Sequence, residues 1–201
     1  PARTNFPRQS WFAPQNDAER EKLSGGTWLS NSDKRGPGAE EAFAQYDLHV
    51  PADGKYHLWT RKFWKHGPFR WRFDAQDWQT CGPDAALADS VELRTHVPAN
   101  WVYLGAVDLK KGATKFELRL LAREGQEQTA GFDAFVLTPT AFFPSGKLKP
   151  GEKSGLTEPG RFSVEPPPDD FRDNAILDLR KLNEPIAGAK GYVTRDGDKL
   201  K

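Results

Sequence analysis

The sequence has one cysteine, no methionine and no long hydrophobic run, and its charges nearly balance. With Cys81 alone, an internal disulfide is excluded and the redox compartment stays undecided. No apolar run approaches the roughly 20 residues that a membrane-spanning helix needs, so we expect no membrane partner. The 29 basic and 28 acidic residues leave a net charge of +1. This balance argues against a nucleic-acid partner, because neutralising phosphates requires a basic surplus.

Signatures of catalysis are also missing. There is no phosphate-binding loop, Ser24 and Ser145 lie in no nucleophile motif, and Cys81 has no evident activating partner, which favours a buried, inert thiol. The segment Asn183-Glu184-Pro185 is similar to the acid/base motif of barrel-fold glycosidases. Such a barrel takes about 250 residues, far more than follow Glu184, so we interpret the motif as chance. We therefore predict that this chain is not itself an enzyme.

Large aromatic rings are plentiful: 7 Trp and 13 Phe in 201 residues. The clearest pattern runs from Ala44 to Lys62, where apolar and polar residues alternate on both sides of Pro51-Ala52-Asp53-Gly54-Lys55. Period-2 alternation around a proline–glycine turn predicts an antiparallel hairpin. His49 and His57 then fall on its outward face as candidate cross-strand neighbours. Without a third ligand they make a poor metal site, so we expect surface histidines.

Further alternating segments indicate about eight strands with almost no helical period, which is typical of an all-β sandwich or jelly roll. We expect residues 1–22 to form an arm that pins Trp11 or Phe12 to the body and includes a short helical turn capped by Asp17. Residues 23–140 are the predicted β-sandwich. Residues 141–174 read as a Pro-rich linker and 175–201 as the start of a truncated following domain, so the chain is expected to be a processed product or a fragment.

Three stretches resemble the jelly-roll carbohydrate-binding modules of the galactose-binding-like fold, the group that includes families 6 and 35. The first is Asp53-Gly54-Lys55-Tyr56-His57-Leu58-Trp59-Thr60-Arg61, and the second begins at Asn100-Trp101-Val102-Tyr103-Leu104-Gly105. The third, Gly131-Phe132-Asp133-Ala134-Phe135-Val136-Leu137-Thr138, is similar to the closing strand of that group. The resemblance covers roughly residues 20–140 and implies a galactose-binding-like jelly roll that binds a polysaccharide or oligosaccharide.

Sugar binding needs a flat ring to stack on the apolar face of a pyranose, with polar groups in the plane of the sugar. The loop Arg61-Lys62-Phe63-Trp64-Lys65-His66 combines aromatic rings with hydrogen-bond donors and supplies such residues. The resembled group also often places a stacking aromatic at the position of Trp101. The group's ligand asparagine, which comes just before the closing strand, has no clear match here, because Gln128-Thr129-Ala130 stands at that position. Trp59 and Trp71 are interpreted as structural, and a structural role is also open for Trp64 and Trp101. The predicted carbohydrate-binding residues are Arg61, Phe63, Trp64, Lys65, His66, Asn100, Trp101 and Gln128.

Many members of the resembled group hold a structural calcium ion through N-terminal acidic residues. Glu19 and Glu21 are the candidates here, with a solvated helical turn as the other interpretation. No cofactor is expected to be required.

The sequence thus predicts a non-catalytic carbohydrate-binding module in a secreted or periplasmic bacterial polysaccharide-degrading enzyme. The tail around Leu177-Asp178-Leu179 is similar to the junction that leads into the catalytic domain of such glycoside hydrolases, which would be a partner in cis. The alternative is a structural β-sandwich that packs against a catalytic domain and binds no glycan.

Overall fold

Alternating segments of the sequence become strands throughout the computed structural model. It describes residues 1–7, 10, 12–32, 40–63, 67–121, 129–148, 195–196 and 199–200. Its one short helix in this part of the chain is α1 (Asp17–Arg20). The strands are β1 (Arg3–Thr4), β2 (Leu29–Asn31), β3 (Phe43–Val50), β4 (Gly54–Phe63), β5 (Phe69–Phe73), β6 (Gln79–Cys81), β7 (Ala88–Arg94), β8 (Val97–Leu109), β9 (Gly112–Leu120), β10 (Ala130–Thr138), β11 (Arg195–Asp196) and β12 (Lys199–Leu200).

Ten of these strands form two antiparallel sheets that pack as a jelly-roll β-sandwich. Sheet 1 has the order β1-β3-β9-β5-β6, and sheet 2 has the order β2-β10-β4-β8-β7. The chain changes sheet repeatedly, so most sequence neighbours are not paired neighbours. The all-β prediction is confirmed. None of the helices in the described ranges has the length and apolar character that crossing a membrane requires.

The predicted hairpin between β3 and β4 is wrong in its pairing, although both strands exist. β3 pairs with β9 in sheet 1, whereas β4 pairs with β8 and β10 in sheet 2. The turn at Pro51 therefore crosses from one layer to the other, which lets the apolar faces of both strands point into one core. His49 and His57 consequently lie on different sheets and are not cross-strand neighbours.

The core between the sheets is built by the inward positions of these strands. Trp71, Phe116 and Leu118 of sheet 1 are at most 2% exposed, and Leu58 and Phe132 of sheet 2 pack against the same cluster. Cys81 is a buried free thiol, and burial raises its pKa while the nearby Lys62 charge opposes that rise. This agrees with the inert thiol expected from the sequence.

A second apolar cluster holds the N-terminal arm against the body. Phe12 is fully buried and stacks on Phe63 with ring centroids 4.9 Å apart, and Trp28 packs edge-on to Phe12 at 5.7 Å. Of the two residues expected to pin the arm, Phe12 is the one that the structure buries; Trp11 lies outside the described residues. The cap of α1 is Asn16 rather than Asp17, since the Asn16 side chain accepts a hydrogen bond from the Glu19 amide.

The chain divides into two compact units, Pro1–Ser163 and Val164–Lys201. The first unit contains the sandwich. In the second, the described residues form a small antiparallel pair in which Arg195 lies opposite Leu200 and Asp196 opposite Lys199.

Candidate functional site

Two aromatic side chains lie next to each other on the outer face of sheet 2. Trp59 of β4 faces Tyr103 of β8 on one side and Val136 of β10 on the other, so the three side chains form a row across three strands. The ring centroids of Trp59 and Tyr103 are 4.9 Å apart, with the planes tilted by 45°. Tyr103 is 44% exposed and Trp59 is half-buried. We call Trp59, Tyr103 and Val136 the aromatic row.

Polar groups border the aromatic row. The Nδ1 atom of His57 lies 2.8 Å from the Tyr103 hydroxyl, with the direction of the hydrogen bond set by the imidazole tautomer. Thr138 and Ala106 flank His57 on the neighbouring strands. Burial raises the pKa of Tyr103, so its hydroxyl stays protonated at neutral pH and can both donate and accept. The surface thus combines ring faces with hydrogen-bonding groups at their edge.

The segment after β10 returns over the same face and ends the aromatic row on one side. Phe142 contacts Trp59 at a centroid distance of 5.6 Å and Trp101 at 4.9 Å. The neighbouring Phe143 is 76% exposed. Gly146 accepts a hydrogen bond from Trp101 Nε1 at 2.9 Å, which fixes the segment above the indole. Trp101 is covered as a result, while Tyr103, two residues further along β8, is left open.

The prediction that Trp101 offers a stacking ring is therefore corrected: the side chain is 0% exposed and has no free face. Asn100 is 3% exposed and donates to the Asp89 carbonyl. Phe63 is 1% exposed within the second apolar cluster. None of these three side chains can meet a saccharide unless the fold opens, so they belong to the framework around the site.

Arg61 is also corrected from a sugar-binding to a structural residue. Its Nη1 atom lies 2.8 Å from Asp133 Oδ2, and both side chains are fully buried. The same nitrogen donates to the Lys22 carbonyl at 2.8 Å. The Asp133 carboxylate also accepts hydrogen bonds from the Ser24 amide and hydroxyl. The cluster joins β4 and β10 to the loop after α1.

Trp64, Lys65, His66 and Gln128 lie outside the described residues. Their assignment to a carbohydrate-binding loop stays a prediction.

Glu19, the first calcium candidate, has its carboxylate occupied by protein partners. It accepts from the Gln15 amide at 3.0 Å and from Arg94 Nη1 at 2.5 Å. Burial favours a higher pKa for Glu19, but these hydrogen bonds and the Arg94 charge lower it overall. Glu21 is exposed. Within the described ranges, no group of three His, Cys, Asp or Glu side chains is arranged to hold a metal ion.

A further indole, Trp78, lies on the outer face of sheet 1 and packs against arginine side chains. The guanidinium carbons of Arg72 and Arg70 lie 4.2 and 4.7 Å from the ring centroid of Trp78. These cation–π contacts occupy ring surface on which a sugar would otherwise stack. Trp78 therefore serves as a natural comparison for the open rings of sheet 2.

Sequence reasoning assigned Trp59 to a structural role and did not consider Tyr103 as a site residue. The signal was present, since His57 and Trp59 alternate on the outward side of β4 and Tyr103 follows Trp101 at a spacing of two. What the pattern lacked was the course of residues 142–148, which decides which outward ring is covered.

No family model matches the sequence, and no curated protein matches it significantly. Among solved structures, the chain is similar to a family 35 carbohydrate-binding module from an environmental isolate. Identity is 14% and the TM-score 0.38, over 58% of this chain and 87% of that one. It is also similar to the GH26-CBM35 β-(1,4)-mannanase of Podospora anserina, with 14% identity and a TM-score of 0.36 over 57% of this chain and 26% of that one.

A third similar structure is a cycloisomaltooligosaccharide glucanotransferase from a Paenibacillus species, with 13% identity and a TM-score of 0.37 over 68% of this chain. The chain spans only 26% of the mannanase and 16% of the glucanotransferase. At such low TM-scores, the case for a function comes from the residues of the site.

Proposed function

We propose that the β-sandwich is a non-catalytic carbohydrate-binding module that stacks a sugar on the aromatic row. The observation that carries the proposal is the open Tyr103 ring beside Trp59, with the hydrogen-bonded His57 at its edge. The ligand is a polysaccharide or oligosaccharide. The stacking surface lies on the face of a sheet instead of in the predicted loop alone, and Trp64 of that loop stays a further candidate.

The chemistry of the aromatic row suits a neutral sugar. Ring faces attract the C–H face of a pyranose, while the Tyr103 hydroxyl and the free nitrogen of His57 can bond its hydroxyl groups. Lys55 and Asp108, the exposed charges of β4 and β8, lie directly opposite each other and offset one another. Each hydrogen bond contributes about 0.5–1.5 kcal/mol net. With one or two stacked rings, the expected dissociation constant is roughly micromolar to millimolar.

We further propose that this module serves a secreted or periplasmic polysaccharide-degrading enzyme, with the catalytic domain in cis. The Pro-rich composition after residue 140 supports this arrangement, since such sequences space modules apart. In this scheme the module holds the enzyme on its substrate and performs no chemistry.

Affinity gel electrophoresis with a panel of soluble polysaccharides tests the binding role. Wild type should be retarded by at least one glycan. Tyr103→Ala should weaken the affinity for that glycan by about two- to tenfold, the factor expected from the loss of one ring contact. Tyr103→Phe keeps the ring and isolates the contribution of the hydroxyl. Trp78→Ala removes the indole that arginines cover and should bind like wild type.

Two results would contradict the binding role. One is a wild-type protein that no glycan retards. The other is equal binding by wild type and by the Trp59→Ala and Tyr103→Ala variants, which would move any site away from the aromatic row.

The rival function is a structural module that packs against a catalytic domain and binds nothing. The complete burial of Trp101 under Phe142 favours it, because an indole that the resembled group often exposes is here part of the framework. A protein that ignores every glycan yet stabilises its catalytic domain when both are joined in one chain would establish this role.

A further inference from the structure

The sandwich is open along one side, where its outer strands are too short to cover their neighbours. β1 pairs with β3 only at Ala44 and Gln45. On the other sheet, β2 pairs with β10 only from Ala130 to Phe132. Beyond these points, the edge of β3 that faces away from β9 and the edge of β10 that faces away from β4 have no strand partner among the described residues. In the part of the chain that the structure describes, the interior between the sheets therefore reaches the surface on this side.

A pocket of about 250 Å³ lies in this opening. Four phenylalanines, three leucines and Tyr46 supply most of its lining, with contributions from both sheets. Tyr46, Phe116 and Phe135 form its aromatic wall: Phe135 lies 5.8 Å from Tyr46 and 5.1 Å from Phe116 between ring centroids. Tyr46 and Phe135 are half-buried, so the pocket is accessible from solvent. Its volume exceeds the roughly 150 Å³ of an apolar cavity that holds benzene.

The described residues that line the pocket offer almost no charge. Asp133 borders it, but its carboxylate points to the other side of β10, where Arg61 and Ser24 take up its oxygens. Among the described lining residues, the Tyr46 hydroxyl is the remaining polar side-chain group, and it makes no hydrogen bond to another described residue. Burial raises the pKa of Tyr46 to about 12, so this hydroxyl is neutral and available as a donor or acceptor.

We propose that this pocket binds a small aromatic compound of the phenol class: one six-membered ring with a single hydroxyl. The ring packs against Phe116 and Phe135, and its hydroxyl bonds to the Tyr46 hydroxyl. Aromatic walls favour edge-to-face contacts with an aromatic ring, and an apolar lining without charge rejects ions and poly-hydroxylated sugars. The site lies between the sheets and is separate from the aromatic row on the outer face. It is thus a binding function beyond the proposed glycan module.

Phenol is the probe for the test, with cyclohexanol as a non-aromatic alcohol of similar size. Titration into the ¹⁵N-labelled full chain should shift amide resonances of β3 and β10 around the pocket. Phenol should bind more tightly than cyclohexanol. Tyr46→Phe should weaken the affinity for phenol about two- to tenfold, the factor expected from the loss of one hydrogen bond, and leave the affinity for benzene unchanged. Leu48 lines the pocket, so the larger side chain of Leu48→Trp should fill it and abolish binding of phenol and of benzene.

The outcomes that overturn the proposal are distinct. They are no shift at high phenol concentration, shifts confined to Trp59 and Tyr103, equal binding of cyclohexanol, or unchanged phenol binding in a folded Leu48→Trp protein. If Leu48→Trp does not fold, Tyr46→Phe decides, because it removes one oxygen and keeps the ring. Equal phenol binding by wild type and Tyr46→Phe would contradict the assigned hydrogen bond and with it the phenol class.

Discussion

The Arg61 guanidinium and the Asp133 carboxylate lie 2.8 Å apart with neither side chain exposed. Both residues fall in stretches that resemble carbohydrate-binding modules, yet their contact is internal. Because the Ser24 amide also donates to Asp133 and the Lys22 carbonyl also accepts from Arg61, the pair holds a loop, β4 and β10 together. Arg61 Nε and Nη2 have no hydrogen-bond partner within the described residues, so the arginine depends strongly on this one carboxylate.

Asp133→Ala should therefore destabilise the fold severely. Removing one partner of a buried ion pair leaves an uncompensated charge and costs about 3–5 kcal/mol. Urea unfolding followed by tryptophan fluorescence measures the loss. The double variant Arg61→Leu, Asp133→Leu removes both charges and should be less destabilised than Asp133→Ala. A single variant within about 0.5 kcal/mol of wild type, the range of neutral surface changes, would contradict this account.

Alternation in the sequence predicted the strands well and their partners poorly. Around Pro51 the pattern contains the strands β3 and β4 with their correct inward faces, because a period of two depends only on which side is buried. It does not say whether the turn continues one sheet or crosses to the other. The short spacing suggested a hairpin, whereas pairing with the distant β9 and β8 prevailed.

Prediction of the candidate site from the sequence meets the same limit. Trp59, Arg61, Trp101 and Tyr103 all lie on the outward side of sheet 2, and the alternation predicts that much. Burial then separates them: Arg61 and Trp101 are 0% exposed, while Tyr103 is 44% exposed. The difference comes from the arm and from residues 142–148, which lie over one end of the sheet. Such coverage by segments without a regular period leaves no signal in the strands themselves.

Trp101 and Tyr103 therefore make a matched pair for separating core from site. Trp101→Ala should cost about 3–5 kcal/mol, as expected for a large buried ring, and lose the bond to Gly146. Tyr103→Ala, two residues away on the same face, should cost under about 1 kcal/mol, since the ring is largely open. Thermal and urea unfolding give both values. A stability loss at Tyr103 as large as that at Trp101 would mean that the tyrosine is a packing residue.

Acid should weaken the outer face of sheet 1 through Glu117. Burial favours a higher pKa for this carboxyl, but hydrogen bonds from Arg119 and Arg72 and their charges lower it below its ordinary 4.5. The ionised form is thus favoured more in the native than in the unfolded state. Its stabilisation is complete above the ordinary pKa and is lost as the pH falls through the lower native value.

Glu117→Gln removes this contribution and should cost on the order of 1–3 kcal/mol at neutral pH. The difference in unfolding free energy between wild type and variant should shrink as the pH falls below about 4.5, the ordinary carboxyl value. Glu92→Gln, a change at an exposed glutamate, serves as the control and should follow wild type at every pH. If the difference in unfolding free energy between wild type and Glu117→Gln stays constant or grows as the pH falls, the proposed linkage is refuted.

Gly131 tests how closely the arm packs on sheet 2. A Cβ atom at this position would lie 2.9 Å from a Phe12 ring carbon and 3.2 Å from the Trp28 indole. Both rings are buried and hold each other, so neither can move without disturbing the second apolar cluster. Gly131→Ala should therefore destabilise the protein by about 1–3 kcal/mol, as overpacking does.

Gly54→Ala is the matched control, because an added Cβ there meets nothing within 4 Å. If both variants unfold with the same dependence of free energy on urea concentration, the difference between their urea midpoints isolates the clash from the general effect of replacing glycine in a strand. Adding Phe12→Leu to Gly131→Ala makes room for the methyl group and should recover part of the loss, since two residues in contact do not act additively. Strictly additive losses would show that Phe12 does not pack on Gly131 in solution.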